Sequence, residues 1–244
     1  MRRDLTFALA VLLAAPQVAR AQQRPDVRFK VEPWPDGVVV AGAVAAAAVP
    51  LAFPNSFAHA TCEPCDPAAL WGLDRSTIGP LHGSISLASW GTLGLEAALG
   101  TAFLAGTRRG QGTAAFVGDA TVIAEAVSLT AAATEWTKVL VHRPRPYLYL
   151  PGATGVPTAD DGRSFPSGHA SIAFSAAAAF ASVLHRRGIA GRHKVEIALL
   201  FAAATVTSAL RVAAHEHFPT DVLAGAALGF GIGWTVPSLH PTIP

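Results

Sequence analysis

The stretch RVAAHEHFPTD, residues 211–221, lies between two apolar segments and contains an arginine, two histidines and an aspartate. Its spacing predicts that Arg211 lies near the end of one helix and that Asp221 begins the next. At that position Asp221 can cap the helix, accept a hydrogen bond from one nitrogen of His217 so that the other is free to attack, or do both. A further interpretation is a metal site built on His215 and His217.

A second cluster, KVLVHRPRP at residues 138–146, closes another apolar segment. Lys138 and Arg145 are two helical turns apart, so a continuous helix would place both side chains on one face. Arg143 is the alternative to Arg145. The alternative to a functional site is a patch of charge beside a membrane.

The third cluster, SFPSGH at residues 164–169, opens an apolar segment. Ser167 suits a helix start, and Gly168 lets a ligand approach the backbone closely. An anion at this position would meet free N–H groups and the positive end of the helix dipole. The alternative is an ordinary capped helix.

Together the clusters supply the fixed cations and donors that a phosphate needs in a site without a metal. Lys138, Arg145 and Arg211 are the cations, and the helix that begins near Ser167 adds N–H donors. Two histidines, His169 and His217, are then available to share the roles of nucleophile and acid.

The composition points to a membrane or to tightly packed helices, and with the apolar segments it predicts an all-α fold, a six-helix bundle that we expect to be membrane-embedded. Of the 244 residues, 51% are hydrophobic and 14% charged, and the mean hydropathy is +0.40. These values are too apolar for an ordinary cytosolic enzyme. A net charge of only +2, with no basic run interleaved with aromatic residues, excludes a nucleic-acid partner. Six apolar segments too long for strands predict the helices: 38–53, 82–106, 114–138, 168–185, 195–215 and 221–236.

The two ends of the chain differ from this helical region, which we predict to be one domain at 38–236. Residues 1–21 have the pattern of a signal peptide, with two arginines, an apolar stretch and small residues before a cleavage site after Ala21. Residues 22–37 are polar and contain three prolines, which indicates a surface arm. Residues 237–244 form a short tail.

The charge of the connecting segments indicates topology. Residues 107–113 and 185–194 contain arginine or lysine but no acid. The positive-inside rule therefore places both in the cytoplasm and the three clusters at the periplasmic face of a bacterial inner membrane. The segment 38–53 is shorter than the ~20 residues that a span needs, so we expect it to pack without crossing. If it crossed after a cleaved signal peptide, the rest of the topology would be inverted.

A soluble periplasmic protein is the alternative. Acids inside a membrane are costly, and the apolar segments contain four of them: Glu96, Asp119, Glu125 and Glu135.

Cys62 and Cys65 are the only cysteines in the chain, and their spacing is C-x-x-C. A periplasmic location favours a local disulfide between them. A zinc site would need further ligands, and a thioredoxin-type motif would need a βαβ unit that the pattern does not indicate. We therefore predict a structural disulfide.

The order and spacing of the three clusters resemble the signature of the type 2 phosphatidic acid phosphatase superfamily. This family also includes bacterial class A acid phosphatases and vanadium haloperoxidases. The resemblance covers residues 114–236, about half of the chain. It rests on three motifs: Lys138 with six residues before Arg145-Pro146, then Pro166-Ser167-Gly168-His169, then Arg211 with five residues before His217 and three more before Asp221.

The resemblance implies a phosphohistidine mechanism that uses no cofactor and that vanadate inhibits. His217 would be the nucleophile, Asp221 would orient it, and His169 would protonate the leaving oxygen. The phosphoryl oxygens would be held by Lys138, Arg145, Ser167, the backbone of Gly168, and Arg211. One departure is Leu210, because the family usually has a serine immediately before the arginine of the third motif, and one hydroxyl contact to the phosphate is therefore missing.

The expected function is hydrolysis of a lipid phosphate or diphosphate at the periplasmic face, with the substrate arriving sideways from the bilayer. One alternative is a soluble acid phosphatase of the class A type with broad specificity. Another is a non-catalytic membrane protein that binds anions or lipid headgroups. The histidines and Asp221 argue against the latter, because binding alone needs no nucleophile and no acid.

Overall fold

The computed structural model describes residues 27–57, 62, 65–152, 158 and 160–244, without the side chains of 109–111. The predicted signal peptide at 1–21 lies outside these residues. Six α-helices are found among them: α1 Pro33–Ala52, α2 Gly72–Arg75, α3 Gly83–Val141, α4 Gly168–Arg186, α5 Lys194–Ala213 and α6 Pro219–Leu239. A two-residue strand before α1, β1 (Arg28–Phe29), pairs antiparallel with β2 (Thr242–Ile243) after α6.

The helix α3 is two helices that meet at Gly112. The backbone of Gly112, with φ 82° and ψ 170°, is not helical, and glycine adopts positive φ at little cost. Counting the halves 83–111 and 113–141 separately, and leaving aside the one-turn α2, the described residues form six long helices, which confirms the predicted all-α bundle. The expected loop at 107–113 is wrong, because helical backbone continues on both sides up to this one glycine.

The helix α1 is longer than the sequence pattern suggests. It begins at Pro33, a residue whose fixed φ suits the first turn of a helix, and has 20 residues. Our expectation that this segment is too short to cross a membrane is therefore wrong. Four helical stretches have the length and apolarity of a span, and between 17% and 44% of each is buried in the protein: Pro33–Ala52, Gly112–Tyr149, Lys194–Ala213 and Pro219–Leu239.

The closest helix pair is α4 with α6. Three glycines of α6, each four residues after the last, face the backbone of α4. A Cβ atom added at Gly225 would lie 2.5 Å from the carbonyl oxygen of Ser167, and one at Gly229 would lie 2.0 Å from that of Ser171. At Gly233 the distance to the Ser175 oxygen would be 2.4 Å. Small residues at this spacing let two apolar helices approach to backbone contact.

The chain alternates between two ends of the bundle. At one end lie the start of α3 and the described residues that follow α1 or fall within 142–167 and 214–218; all three sequence clusters reach this end. The opposite end, which we call the far end, contains Gly112, the segment 187–193 and the β1–β2 pair.

Three of the four acids inside the helices are paired. Asp119 forms an ion pair with Arg187, and both side chains are buried. Glu125 lies 3.0 Å from the imidazole of His240. Glu135 contacts two cations, Lys138 and Arg163. Such pairing is how ionisable groups are accommodated in apolar surroundings. The charge pattern suggested that Arg187 is an exposed charge of its segment. Instead it is the partner of the buried Asp119.

The glycine contacts of α6 predict opposite outcomes for two neighbouring substitutions. Gly229→Ala places a methyl group on the α4 backbone, so we expect it to destabilise the protein by about 1–3 kcal/mol, the usual effect of overpacking. Gly231→Ala is the matched control, because a Cβ there meets nothing within 4 Å, and alanine favours helix by about 0.5–1 kcal/mol. Thermal unfolding in detergent, followed by tryptophan fluorescence, measures both. Equal midpoints would contradict the packing described here.

Candidate active site

His217 lies in the segment between α5 and α6, and its side chain is only 2% exposed. Its Nδ1 atom is 2.7 Å from the backbone carbonyl oxygen of Ser164. Because a carbonyl can only accept, Nδ1 donates this hydrogen bond, and the neutral ring then has its lone pair on Nε2. His217 is therefore held in the tautomer that a nucleophile needs.

Asp221 does not contact His217 directly. Its Oδ2 atom is 3.9 Å from Nδ1 of His217, beyond hydrogen-bond range, so the direct bond considered from the sequence is absent. Instead Oδ2 accepts from the Ser164 hydroxyl at 2.5 Å and from the Phe218 backbone N–H at 2.8 Å. The carboxylate thus caps the start of α6 and fixes the residue whose carbonyl orients His217.

Arg143 is the partner of Asp221 and not a member of the cation group around His217. Its guanidinium pairs with Asp221 and, at 2.7 Å, with Asp74. It also lies over the ring of Phe218, 4.4 Å from the ring centre. Arg143 therefore ties the segment after α3 to the starts of α2 and α6, which leaves Arg145 as the arginine of this cluster that acts on His217.

The surroundings of His217 favour its neutral form. Burial lowers the pKa of His217 well below its ordinary value, and the charges of Arg145, Arg211 and Lys138 lower it further, against a smaller opposing effect of the Ser164 carbonyl. These surroundings thus favour the unprotonated imidazole, the form that a nucleophile requires.

His169, the second residue of α4, lies in the same electrostatic environment. The positive charges of Lys138, Arg145 and Arg211 all act on it. Its ring meets the ring of Trp90 edge-on at 4.1 Å between centres. The Nε2 atom of His169 is buried and has no hydrogen-bond partner.

The start of α4 is packed around Lys138. Ser167 is fully buried, its hydroxyl has no hydrogen-bond partner, and its backbone N–H donates to the carbonyl oxygen of Asp221 at 3.0 Å. A Cβ atom at Gly168 would lie 3.1 Å from Nζ of Lys138. Glycine thus keeps the first N–H groups of α4 close to a cation, which is the arrangement of an anion site.

Acids hold the three cations in place. Lys138 pairs with Glu135 at 2.7 Å, and Arg145 pairs with Asp160 at 2.6 Å. The carboxylate of Glu216 lies between the two arginines, 2.6 Å from Arg145 and 3.2 Å from Arg211. Sequence spacing did not indicate the contacts of Glu216 and Asp160 with the arginines, because these contacts depend on how the loops fold.

Hydroxyl groups reach Arg211 from a distant part of the chain. Its Nη1 atom donates to the hydroxyls of Ser86 and Ser89, each at 3.1 Å, on the first half of α3. Ser86 also donates to Glu216 at 2.8 Å. The serine that the resemblance places before the arginine is Leu210 here. The hydroxyls of Ser86 and Ser89 contact Arg211 instead, and they could not be predicted from the spacing of the motif because they are more than 120 residues away in sequence.

His215 turns away from His217. Its backbone is left-handed, with φ 56°, and its Nδ1 donates to the Pro80 carbonyl oxygen at 2.7 Å. A Cβ atom at Gly79 would lie 2.1 Å from the His215 ring, so this ring is packed against backbone. In the described part of the chain, no group of three ligating side chains includes His215 or His217.

The two cysteines lie beside the segment that contains His217. Cys62 and Cys65 are joined in a disulfide, and Cys65 packs in a buried cluster with Leu70, Tyr149 and Phe218. The disulfide therefore supports the segment that contacts Phe218, the residue immediately after His217.

Comparisons with known proteins place the chain in a family. No curated protein matches it. A similar solved structure is that of a transmembrane PAP2 type phosphatidylglycerolphosphate phosphatase from Bacillus subtilis, with 19% sequence identity, a TM-score of 0.46, and coverage of 83% of this chain and 94% of the other. The sequence model of the PAP2 superfamily matches residues 119–243, a little over half of the chain and a range that contains all eight predicted catalytic and phosphate-binding residues. The chain therefore belongs to the PAP2 superfamily.

Proposed function

We propose that this PAP2 phosphatase hydrolyses a lipid phosphate or diphosphate through a phosphohistidine on His217, without a metal. One observation carries the proposal. Three buried polar atoms without a hydrogen-bond partner belong to predicted site residues: Oγ of Ser167, Nε2 of His169 and Nε of Arg211. Buried polar atoms are nearly always paired, and a bound phosphoryl group supplies both the acceptor oxygens and the ester oxygen that these atoms lack.

The roles proposed for the two histidines give the following reaction. The lone pair on Nε2 of His217 forms a bond to phosphorus while the bond from phosphorus to the leaving oxygen breaks. His169 gives its proton to that oxygen. A water molecule then attacks the phosphohistidine, His169 takes a proton from the water, and His217 leaves with its electron pair, which restores both residues.

The cations serve two purposes in this reaction. Lys138, Arg145 and Arg211 stabilise the charge that spreads over the phosphoryl oxygens in the transition state. In the free protein burial lowers the pKa of His169, and the same charges lower it further. A phosphate dianion beside them offsets this effect, so substrate binding itself favours the protonated His169 that the first step requires.

The surface beside the site is apolar, which supports a lipid as the substrate. Trp90, whose ring contacts His169, is 59% exposed, and Leu87, one turn earlier, is 72% exposed. An exposed apolar surface of this kind favours contact with a membrane. An acyl chain lying on this face of α3 would bring its headgroup to His169. The exposed faces of the apolar helices also argue against the soluble alternative.

We further propose that the site faces the periplasm. Six basic residues at the far end are exposed: Arg28, Lys30, Arg108, Arg186, Arg192 and Lys194. The positive-inside rule favours a cytoplasmic location for this end. Because β1 also lies there and α1 is long enough to cross, residues 27–32 would then be cytoplasmic. A signal peptide cleaved after Ala21 would put them on the other side, so we give the charge pattern precedence over the leader pattern.

The two histidines should fail differently when substituted. His217→Ala should abolish turnover and phosphoenzyme formation, because no nucleophile remains. His169→Ala should cost about 10² to 10⁴ in rate on a lipid phosphate but less on p-nitrophenyl phosphate, whose leaving group departs without a proton. Quenched labelling with a ³²P-phosphorylated substrate and steady-state rates in EDTA measure both. Labelling of His217→Ala at His169 would contradict the assigned roles, and so would loss of wild-type activity in EDTA that zinc restores without any change in the unfolding midpoint.

The contact between Asp221 and Ser164 predicts non-additive substitutions. Asp221→Asn should lower kcat, because the amide presents to the Ser164 hydroxyl either an N–H group or an acceptor weaker than the carboxylate. Ser164→Ala retains the carbonyl that orients His217 but loses the hydroxyl bond to Asp221, so we expect a smaller decrease. The double variant should be no slower than Asp221→Asn alone. If the decrease in kcat of the double variant equals the product of the two single decreases, Asp221 does not act through the Ser164 hydroxyl.

The orientation can be tested with single cysteines, because both native cysteines are in the disulfide. Thr158→Cys lies at the site end and Arg192→Cys at the far end, and both positions are exposed. In intact cells an impermeant maleimide should label the cysteine at 158, while the one at 192 should react only after permeabilisation. The opposite pattern would place the site in the cytoplasm, and equal labelling would favour a soluble protein.

A further inference from the structure

A second group of ligand-type side chains lies at the far end of the bundle. Asp36 is in the first turn of α1, Glu125 is in the second half of α3, and His240 follows the end of α6. One ligand atom from each lies within 4.8 Å of the other two. The three residues are far apart in sequence, so only the fold brings them together.

His240 is oriented as metal-binding histidines usually are. Its Nδ1 atom donates to the carbonyl oxygen of Val236 at 3.0 Å, and the ring of Phe29 meets it edge-on at 6.4 Å between centres. A backbone acceptor on one ring nitrogen fixes the tautomer in which the other nitrogen offers its lone pair. That nitrogen, Nε2, lies 3.0 Å from Oε2 of Glu125. A lone pair facing a carboxylate oxygen is repulsive unless a proton or a cation lies between them.

The carboxylate of Glu125 is under-coordinated. The residue is only 3% exposed, and while Oε2 faces His240, its other oxygen, Oε1, is buried without a hydrogen-bond partner. The side chain of Asp36 is oriented by the backbone, because its Oδ2 accepts a hydrogen bond from the backbone N–H of Glu32 at 2.7 Å. A buried carboxylate with one unpaired oxygen gains most from an added cation.

Solvent can reach this group. A cavity of about 280 Å³ is lined by Asp36 and His240 together with Lys30, Glu32, Pro35 and Pro241. Lys30, the one cation among these residues, is paired with Glu32 at 3.0 Å. The cavity therefore offers a polar path for an ion and space for the water molecules that complete its coordination.

We propose that Asp36, Glu125 and His240 bind a divalent transition-metal ion, Zn²⁺ by preference, at a site remote from the catalytic histidines. One imidazole nitrogen and two carboxylate oxygens, with water in the remaining position, match the donors and number that zinc uses. Among the common divalent ions such a site favours Zn²⁺ over Mn²⁺. The ion joins α1, α3 and the end of α6, and it stabilises the folded chain by mass action because the unfolded chain lacks the site.

The test is calorimetric titration of ZnCl₂ into tag-free, EDTA-treated full-length protein in detergent. One ion per chain is expected. Asp36→Asn and His240→Gln should each weaken binding by about 100-fold or more, since even loss of an outer partner costs 10- to 100-fold. His193→Gln is the matched control: it removes a comparable histidine–carboxylate contact, His193 with Glu196 at 3.2 Å, and should leave binding unchanged.

A second set of measurements uses the wild-type protein and so remains informative if a variant fails to fold. Zn²⁺ should raise the unfolding midpoint of the wild-type protein, and Co²⁺ should give visible absorption bands that Zn²⁺ removes. His217→Ala should retain this uptake, which separates the site from the catalytic one. A wild-type protein that takes up no ion, or His240→Gln that binds as tightly as wild type, would show that Glu125 and His240 form an ion pair only and would overturn the proposal.

Discussion

The backbone contact between α4 and α6 is the constraint on which the catalytic geometry depends. Because Gly225 has no side chain, the start of α6 approaches Ser167 closely enough for its N–H to reach the Asp221 carbonyl oxygen at 3.0 Å. The same approach brings the Asp221 carboxylate to the hydroxyl of Ser164. The Ser164 carbonyl in turn fixes His217. A larger residue at position 225 would separate the helices and change every hydrogen bond in this series.

Paired charges let an apolar bundle contain the proposed phosphate site. Lys138 and Arg163 share Glu135, and Arg145 and Arg211 share Glu216. An unpaired cation buried among alanines and leucines would carry a large desolvation cost. Each acid offsets that cost in the free protein and also fixes the direction of the side chain that it contacts. The cations are therefore positioned before a substrate arrives, which is the condition for effective electrostatic catalysis.

The helical fold could be predicted from the sequence because it depends on local patterns, and spaced motifs likewise indicated the residues of the proposed phosphate site. Apolar segments of helical length and three spaced motifs can be recognised in a chain. The sequence did not predict contacts made by loop conformation, such as the carbonyl of Ser164 between His217 and Asp221. Ser86 was missed because it reaches Arg211 only after α3 and α5 have packed, and Glu216 was missed because its contact with Arg211 depends on the turn after α5. The break at Gly112 was predicted as a loop of seven residues, since a single positive φ leaves no mark in composition.

The carboxylate of Glu216 lies between Arg145 and Arg211, and if a phosphoryl group binds there as proposed, this carboxylate would act as a tethered competitor. Its local concentration is fixed by the chain and does not fall on dilution. An anion that offers only its charge, such as free inorganic phosphate, exchanges one set of ion pairs for another and gains little. A lipid phosphate brings the burial of its acyl chains as well, which can offset displacement of the carboxylate. Such an arrangement would favour release of the small product over its retention and give preference to substrates anchored in a bilayer.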